Sequence, residues 1–526
     1  MDFFLAASPL LLLIMLMTVK KGMPSYYALP LVAVLLYLLQ ITYFREEHAN
    51  IHASVLAGLL TAATLLAILW GAVFFFKTME AVGSLSLIRT WLNKISPHPV
   101  AQLMLIGWAF SFFIEGISGF GTPAVMAAPL LVGLGFEPFR VVVFCLAMNT
   151  IPVSFGAVGT PMWFGFGELG LSQETLKEVS FKTTLLHSAA ALLIPVMALG
   201  AVVPWKTLRH SGIFIYLSLA ATLVPYVLFS RINTEFPSII GGLSGLLATA
   251  WLARKNIGLS PLSSEMQSSG HGFTVKEYFR AFFPFTAAVA LLIITRIKAF
   301  GLQQWLNTGS PLTSFTLPGL GEFHLSASLV LELRDILATG IDWKHPLLYV
   351  PSLIPFAAVA LVCFVLFRIP AGQMAGAWSE SLRRILKPLF ALLGAMVFVK
   401  LFMLGGDRSP AALLGHGLAQ TTGGAWNFAA VYLGALGAFF AGSCTLSNLT
   451  FGPIQSLAAD KLGMDLPLAL SLQSVGGAMG NMACIHNIVA VCAILGLQQQ
   501  EGKILRKTFL WVIVYGLIAG TVSYLF

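Results

Sequence analysis

The chain has 526 residues, of which 57% are hydrophobic and only 10% are charged. Soluble domains carry about 25% charged residues, so this composition excludes a water-soluble globule and predicts a polytopic, all-α membrane protein in contact with lipid. The net charge of +9 does not point to a nucleic acid partner, because excess Lys and Arg in membrane proteins lie mainly in cytoplasmic loops.

Apolar stretches follow one another along the whole chain. The first of them has no basic residues ahead of it, so we expect a spanning helix there and not a cleaved signal peptide. Runs of about 18 or more apolar residues can cross a bilayer as helices. We predict about twelve such spans, in chain order residues 3–19, 26–44, 52–76, 138–166, 183–204, 212–230, 236–253, 282–300, 346–367, 388–406, 466–497 and 508–526.

Two further apolar segments, residues 98–135 and 427–463, are interrupted in the middle by patches rich in Gly, Ser and Thr. Each segment predicts a re-entrant hairpin, and the alternative for each is a pair of ordinary spans joined by a very short turn. Placing both termini on the periplasmic side leaves most Lys and Arg residues in cytoplasmic loops, as the positive-inside rule requires.

The same order of elements, three spans, a hairpin and two spans, occurs twice with opposite orientation. This predicts an inverted repeat with broken helices near mid-membrane, which is typical of secondary transporters. The predicted divisions are a first repeat at residues 1–205, connector spans with a cytoplasmic loop at 206–281, and a second repeat at 282–526. The "GGLSG" run at residues 241–245 has small-residue spacing and predicts helix packing.

Four irregular patches fall at membrane depth: residues 115–123, 149–152, 442–448 and 473–481, the last broken around 473–477 and again at 480–481. Unwound backbone is tolerated there only when it is buried in protein or lines a wet cavity, so we predict one shared cavity. Helix N-termini, hydroxyls and amides suit a small hydroxylated carboxylate. The alternative is that these small residues serve helix packing.

The candidate substrate-binding residues come from these patches. They are Ser118, Gly119, Gly121, Thr122, Asn149, Thr150, Ser443, Thr445, Ser447, Asn448, Gln473, Ser474 and Asn481.

Ionisable residues inside apolar segments are rare and often functional. Glu115 is a candidate for holding and releasing a proton, or it is a neutral acid that caps a helix end. His486 is a second candidate for proton coupling, or it is a hydrogen-bonded core histidine. Lys400 could attract an anion or could extend its amine outward to the interface.

The sequence contains no phosphate-binding loop, zinc-ligand spacing or nucleophile with an adjacent base. We therefore expect no enzyme activity, no cofactor and no metal, and transport driven by an ion gradient. The five cysteines lie in apolar stretches and are expected to be small core residues.

Three stretches resemble the bacterial L-lactate permease family. They are "EGISGFGTPAVMAAPLLVGLGFEP", "CLAMNTIPVSFGAVGTP" and the C-terminal block "SCTLSNLTFGPIQ…ALSLQSVGGAMGNMACIHNIVAVCAILGL…EGKILRKT". The resemblance implies proton-coupled uptake of lactate, and often glycolate, across the bacterial inner membrane. It also implies inverted repeats with two hairpins, an elevator-like movement and a homodimer. The chain has Ile117 and Ser118 where the family pattern leads us to expect two alanines, so another short 2-hydroxy acid or a related small anion stays open as substrate.

The sequence therefore predicts a symporter of a small monocarboxylate anion and a proton, for L-lactate and related acids such as D-lactate and glycolate. Glu115 and His486 are assigned to proton coupling and Lys400 to electrostatic assistance. A sodium-coupled carrier of another small carboxylate and an anion channel are the alternatives.

Overall fold

The computed structural model describes residues 2–18, 23–119, 121–260, 273–296, 301–350, 353–497 and 500–526. Helices make up most of this part of the chain. In the N-terminal half they are α1 Asp2–Thr18, α2 Ser25–Leu39, α3 His48–Val82, α4 Ser84–Ile95, α5 Pro99–Gln102, α6 Ser111–Ser118, α7 Thr122–Gly133, α8 Pro138–Met148, α9 Gly156–Trp163, α10 Gln173–Ala191, α11 Ile194–Gly200, α12 Trp205–His210, α13 Gly212–Ser230 and α14 Pro237–Arg254.

The C-terminal half adds α15 Val275–Arg296, α16 Leu302–Leu306, α17 Ile354–Leu366, α18 Ala371–Met403, α19 Pro410–Thr422, α20 Trp426–Ala441, α21 Cys444–Leu462, α22 Leu466–Gly480, α23 Ile485–Leu495 and α24 Glu501–Val522. Two segments, Gln40–Phe44 and Leu103–Phe110, are π-helical, and the second joins α5 to α6 in one continuous rod. The strands are β1 Pro311–Leu317, β2 Gly321–Ser326, β3 Val330–Arg334 and β4 Trp343–Pro346.

The chain divides into two compact units. Unit 1 consists of Met1–Leu87 and Thr274–Gly417, and unit 2 of Ile88–Phe273 and Leu418–Phe526. Each unit thus combines one segment from the N-terminal half of the chain with one from the C-terminal half.

In the described part of the chain, 8 helices are long and apolar enough to cross a membrane, or up to 10 if each bent pair is one span. The predicted number of about twelve is not confirmed. The predicted spans 3–19 and 346–367 correspond to shorter apolar helices, Asp2–Met17 and Ile354–Leu366. The predicted span 212–230 coincides with α13.

Residues 311–346 form a four-stranded antiparallel sheet in the order β1-β2-β3-β4, which lies largely in the connection between the predicted spans 282–300 and 346–367. The all-α prediction is corrected accordingly. Pro318 and Gly319 turn the chain between β1 and β2, with Leu320 N–H donating to the Leu317 carbonyl at 2.9 Å, and this Pro-Gly pair suits a type II turn. The cluster of Leu333 and Ile336 with Ala53 and Ala57 packs the sheet region on α3.

Unit 2 contains tightly packed helices whose close approach depends on glycine. A Cβ at Gly242 would lie 2.4 Å from the backbone nitrogen of Phe113 in α6, and one at Gly245 would lie 2.0 Å from Thr222 Oγ1 in α13. The prediction that the "GGLSG" run of α14 serves helix packing is therefore confirmed.

The predicted break at residues 149–152 is confirmed. The pair Pro138–Met148 and Ile151–Leu169 bends by 41°, and Pro152 within the 3-10 turn Ile151–Phe155 has no N–H to continue an α-helix.

The predicted break at residues 473–477 is wrong, because α22 runs unbroken from Leu466 to Gly480 and the chain leaves the α-helix only at Asn481. A Cβ at Gly476 would lie 2.0 Å from the Val431 carbonyl oxygen in α20. The glycines of this stretch therefore permit close packing of α22 on α20 and do not unwind the helix.

Candidate substrate site

The first interrupted segment is a helix, a short break and a second helix. α6 ends at Ser118, Gly119 adopts φ 63° and ψ −159°, and α7 starts at Thr122. Only glycine readily adopts this backbone conformation. α7 packs back against α6 and against the π-helical turn before it, which is the antiparallel arrangement that the sequence predicted.

The second interrupted segment has the same plan with a simpler break. α20 ends at Gly442 in the left-handed region, with φ 69° and ψ 19°. Ser443 is the N-cap of α21, and its hydroxyl oxygen accepts a hydrogen bond from Leu446 N–H at 3.3 Å. α21 then packs back along α20. In both segments, whether the pair returns to its own side of the membrane stays a prediction.

A third irregular stretch lies at the start of α9. Ala157, Val158 and Gly159 all have left-handed backbone angles, with φ 46°, 57° and 70°. A left-handed conformation costs roughly 1–2 kcal/mol per L-residue, and it is particularly unusual for β-branched valine. Strain of this kind is concentrated at functional sites, so the stretch marks this region as a candidate site.

These three stretches line one small cavity in unit 2. Its volume is about 20 Å³, which is room for roughly one water molecule. Its lining contains five of the predicted site residues, Glu115, Gly119, Ser443, Thr445 and Asn481. The remaining lining residues are Val153, Gly156, Ala157, Pro161, Gly442 and Cys444.

Glu115 is buried in the wall of this cavity, with 2% of its surface exposed. Its Oε2 accepts a hydrogen bond from Asn149 Nδ2 at 3.2 Å. A Cβ at Gly156 would lie 2.7 Å from Glu115 Oε1, so glycine at this position makes room for the carboxyl group. Among the described residues of the lining, Glu115 is the one carboxylate, and none is Lys, Arg or His.

The N-terminus of α21 also lines the cavity, through Ser443, Cys444 and Thr445, and unlike the Glu115 carboxylate it favours negative charge. The first N–H groups of a helix have no partners within the helix and carry the positive end of its dipole. Such an N-terminus favours an anion, and α21 is 19 residues long.

Several predicted hydroxyl and amide residues instead make hydrogen bonds to their own or neighbouring helices. Ser118 Oγ donates to the Ile114 carbonyl at 2.8 Å, Thr150 Oγ1 to Leu146 at 3.3 Å and Ser447 Oγ to Gly434 at 2.6 Å. Gln473 Nε2 donates to Ser447 Oγ at 3.0 Å. None of the four lines the cavity, so the structure places them around the site.

The other candidates have different surroundings. Gly121 has φ 71°, and a Cβ there would lie 3.0 Å from Asn487 Oδ1. Asn487 Nδ2 in turn donates to Asn481 Oδ1 at 2.6 Å. Thr122 is the first residue of α7 and is partly buried.

The two basic candidates lie outside the lining. His486 is exposed in α23, and its Nδ1 is 3.9 Å from Cys484 Sγ. Lys400 lies in the last turn of α18 and belongs to unit 1. Their roles in coupling stay predictions.

Sequence reasoning missed a buried chain of hydrogen bonds beside the cavity. It runs from Tyr515 through His187, Ser154 and Ser474 to Asn448. His187 could have been found from the sequence, because it is a lone histidine in the apolar stretch "TLLHSAAALL". Ionisable residues inside apolar segments are rare and often functional, and His486 was predicted as a site residue for the same reason.

A chain of this apolarity, with helices of spanning length and a small cavity at helix breaks, is a multi-pass membrane protein. The family model described as L-lactate permease matches residues 2–526. The chain belongs to the L-lactate permease family, so it is a transporter of the inner membrane and not an enzyme.

Three relatives illustrate this membership. The chain is 43% identical to a putative L-lactate permease of Haemophilus influenzae, over 99% of this chain and 97% of that protein. It is 27% identical to the L-lactate permease of Escherichia coli K12, over 96% and 92%. It is 25% identical to the glycolate permease GlcA of the same organism, over 87% and 83%.

Among solved structures, the Alcanivorax borkumensis YdaH transporter aligns with 98% of this chain and 97% of its own at 13% identity and a TM-score of 0.44.

Proposed function

We propose that the chain takes up L-lactate and related short 2-hydroxymonocarboxylates, including D-lactate and glycolate, together with protons. The names of the relatives, L-lactate permease and glycolate permease, support this substrate class. The observation that carries the proposal is that Glu115 and the N-terminus of α21 line the same cavity.

The N-terminus of α21 is the proposed site for the carboxylate of the substrate. The backbone N–H groups of Cys444 and Thr445 are the first of this helix, and charge-assisted hydrogen bonds from such groups to an anion are the strong ones. The side chains of Thr445 and Asn481, which also line the cavity, would bind the hydroxyl group of the substrate.

Glu115 is the proposed proton carrier. Two like charges about 4 Å apart repel by roughly 4 kcal/mol at an effective dielectric constant near 20, and no cation of the lining offsets this repulsion. A substrate anion would therefore bind more tightly when Glu115 carries its proton. Anion and proton would then bind together and leave together, which is symport.

The cavity of about 20 Å³ is too small for lactate, which is several times larger than water, so binding would require the site to open. Helix breaks beside a site are typical of carriers that alternate access. Because the cavity lies wholly within unit 2, substrate and ligands would move with one unit, as an elevator-like movement requires. We also propose that residues 1–205 and 282–526 are inverted repeats, that the protein forms a homodimer and that both termini lie in the periplasm.

Uptake of labelled L-lactate by the purified protein in liposomes tests the proposal. We expect uptake to be driven by an inward proton gradient and to be inhibited by D-lactate and glycolate. Uptake that ignores the pH gradient and follows sodium would replace the proton by sodium. Absence of exchange between labelled and unlabelled substrate would indicate a channel.

A further inference from the structure

His187 lies in α10 at the centre of a fully buried hydrogen-bond chain. Its Nδ1 is 2.6 Å from the hydroxyl of Tyr515 in α24, and its Nε2 is 2.9 Å from Ser154 Oγ. His187, Tyr515 and Ser154 are all 0% exposed. Both ring nitrogens of His187 thus have buried hydrogen-bond partners, and a buried polar group that is paired in this way holds its surroundings in one arrangement.

The donors and acceptors along this series of hydrogen bonds define which ring nitrogen of His187 carries the proton. Ser154 Oγ donates to the Ser474 carbonyl at 3.1 Å, and a carbonyl can only accept. Because a hydroxyl has one proton, Ser154 Oγ must accept from its other partners, Ser474 Oγ at 2.9 Å and His187 Nε2. His187 is therefore protonated on Nε2, and Nδ1 accepts from Tyr515.

The chain of bonds continues to the wall of the cavity. Asn448 Nδ2 donates to Ser474 Oγ at 3.4 Å and to the Pro161 carbonyl at 2.9 Å. Cys444 Sγ donates to the Ser474 carbonyl at 3.5 Å. Pro161 and Cys444 both line the cavity, and Cys444 is the first residue of α21. The network thus connects His187 to the proposed carboxylate site.

We propose that His187 is a positioning residue of this substrate site, which acts as a neutral Nε2–H donor and does not carry the coupled proton. It holds Ser154, and through Ser154 and Ser474 it orients the N-terminus of α21. Its described hydrogen-bond partners are a phenol and a hydroxyl, and neither offers the negative charge that would stabilise an imidazolium. The inference rests on the proposed function.

Substitutions that keep or remove the Nε2 donor test the role. In His187→Gln the amide N–H takes the place of the ring Nε2–H, and we expect a KM for lactate within about twofold of wild type. In His187→Ala the donor is lost, and one hydrogen bond is worth about 1.4 kcal/mol or tenfold in affinity. We expect about a tenfold higher KM, with the exchange rate at saturating lactate largely kept.

His98 provides the matched control. It is also in unit 2 and 2% exposed, and its Nε2 is 2.8 Å from Ser260 Oγ, but it does not line the cavity or contact the network. We expect His98→Ala to leave KM unchanged. An unchanged KM in His187→Ala would assign His187 to core stability alone. Loss of pH-driven uptake in His187→Gln with exchange intact would make it a proton carrier, and either result overturns the proposal.

Tyr515→Phe keeps the test decisive if His187→Ala does not fold. It removes the donor to Nδ1 and preserves the ring, and we expect KM to rise a few-fold. An unchanged KM in Tyr515→Phe would contradict the positioning role.

A spectroscopic measurement tests the tautomer without transport. In protein labelled with ¹⁵N-histidine, with the His187 signals identified by their loss in His187→Gln, we expect a protonated Nε2 and an unprotonated Nδ1 from pH 6 to 8. The opposite tautomer or an imidazolium would overturn the inference. Failure of the wild type to take up lactate would instead overturn the proposed function and leave this result intact.

Discussion

The helix breaks at Gly119 and Gly442 are built differently although both line the same cavity. At the first break, Gly119 adopts a backbone conformation reserved for glycine, and the carboxyl group of Glu115 lies in the preceding turn. At the second, a left-handed Gly442 and a capping Ser443 form an ordinary helix start, and the lining residues there carry no charge. Under the proposed function, the first break would bind the proton and the second would bind the anion.

The largest expected effect comes from removing the charge at the first break. In Glu115→Gln we expect pH-driven lactate uptake to fall by at least about tenfold, because an amide cannot carry the coupled proton, whereas exchange of labelled for unlabelled lactate continues. Paired measurements of uptake and exchange in liposomes check this.

Glu174→Gln is the control, because Glu174 is exposed and paired with Lys177 on the surface of α10. Full pH-driven uptake in Glu115→Gln would support the alternative prediction that Glu115 is a neutral acid that caps a helix end.

The next largest effect is expected when Gly119 and Gly442 are each replaced by alanine and the losses of stability are compared. Gly119→Ala should destabilise the protein by about 3 kcal/mol, since its backbone conformation is strained for alanine and the new Cβ would lie 2.9 Å from Ala157 Cβ. Gly442→Ala should lower the stability by only about 1 kcal/mol, because the nearest atom to a Cβ at this position, Cys484 Sγ, would be 3.3 Å from it. Thermal unfolding in detergent measures the stability of both variants. Equal losses of stability would contradict the expected difference in backbone strain between the two breaks.

The cap at the second break gives a smaller effect that separates stability from binding. Ser443→Ala should cost about 1 kcal/mol of stability through loss of the N-cap. Ser443→Asp keeps a capping oxygen but adds a negative charge where the substrate carboxylate is proposed to bind, so we expect normal thermal stability and a KM for lactate about tenfold higher. An unchanged KM in Ser443→Asp would remove the anion from this helix end.

The smallest effect is expected at His486, which was predicted to couple protons. Its ring is exposed and outside the cavity lining, so we expect pH-driven uptake in His486→Gln within about threefold of wild type. A loss as large as that of Glu115→Gln would place a second proton carrier near the second break.

The membrane class, the two interrupted helical segments, the bend at residues 149–152 and the position of Glu115 beside the first break could be predicted from the sequence alone. These features have local causes: long apolar runs, Pro and Gly within them, and one carboxylate among them. The sheet of residues 311–346 escaped prediction, because short strands in a polar connection give a weak signal beside long apolar helices.

Which groups come into contact depends on the packing of helices that are distant in sequence. Gly476 could mark a break or a packing contact, and its distance to α20 decided for packing. Ser154, His187, Ser474 and Tyr515 are far apart in sequence, so their hydrogen-bond chain follows from the packing of α10, α22 and α24. Hydrogen bonds between distant residues leave no local pattern in a sequence, which is why Glu115 could be found from its neighbours and the network around His187 could not.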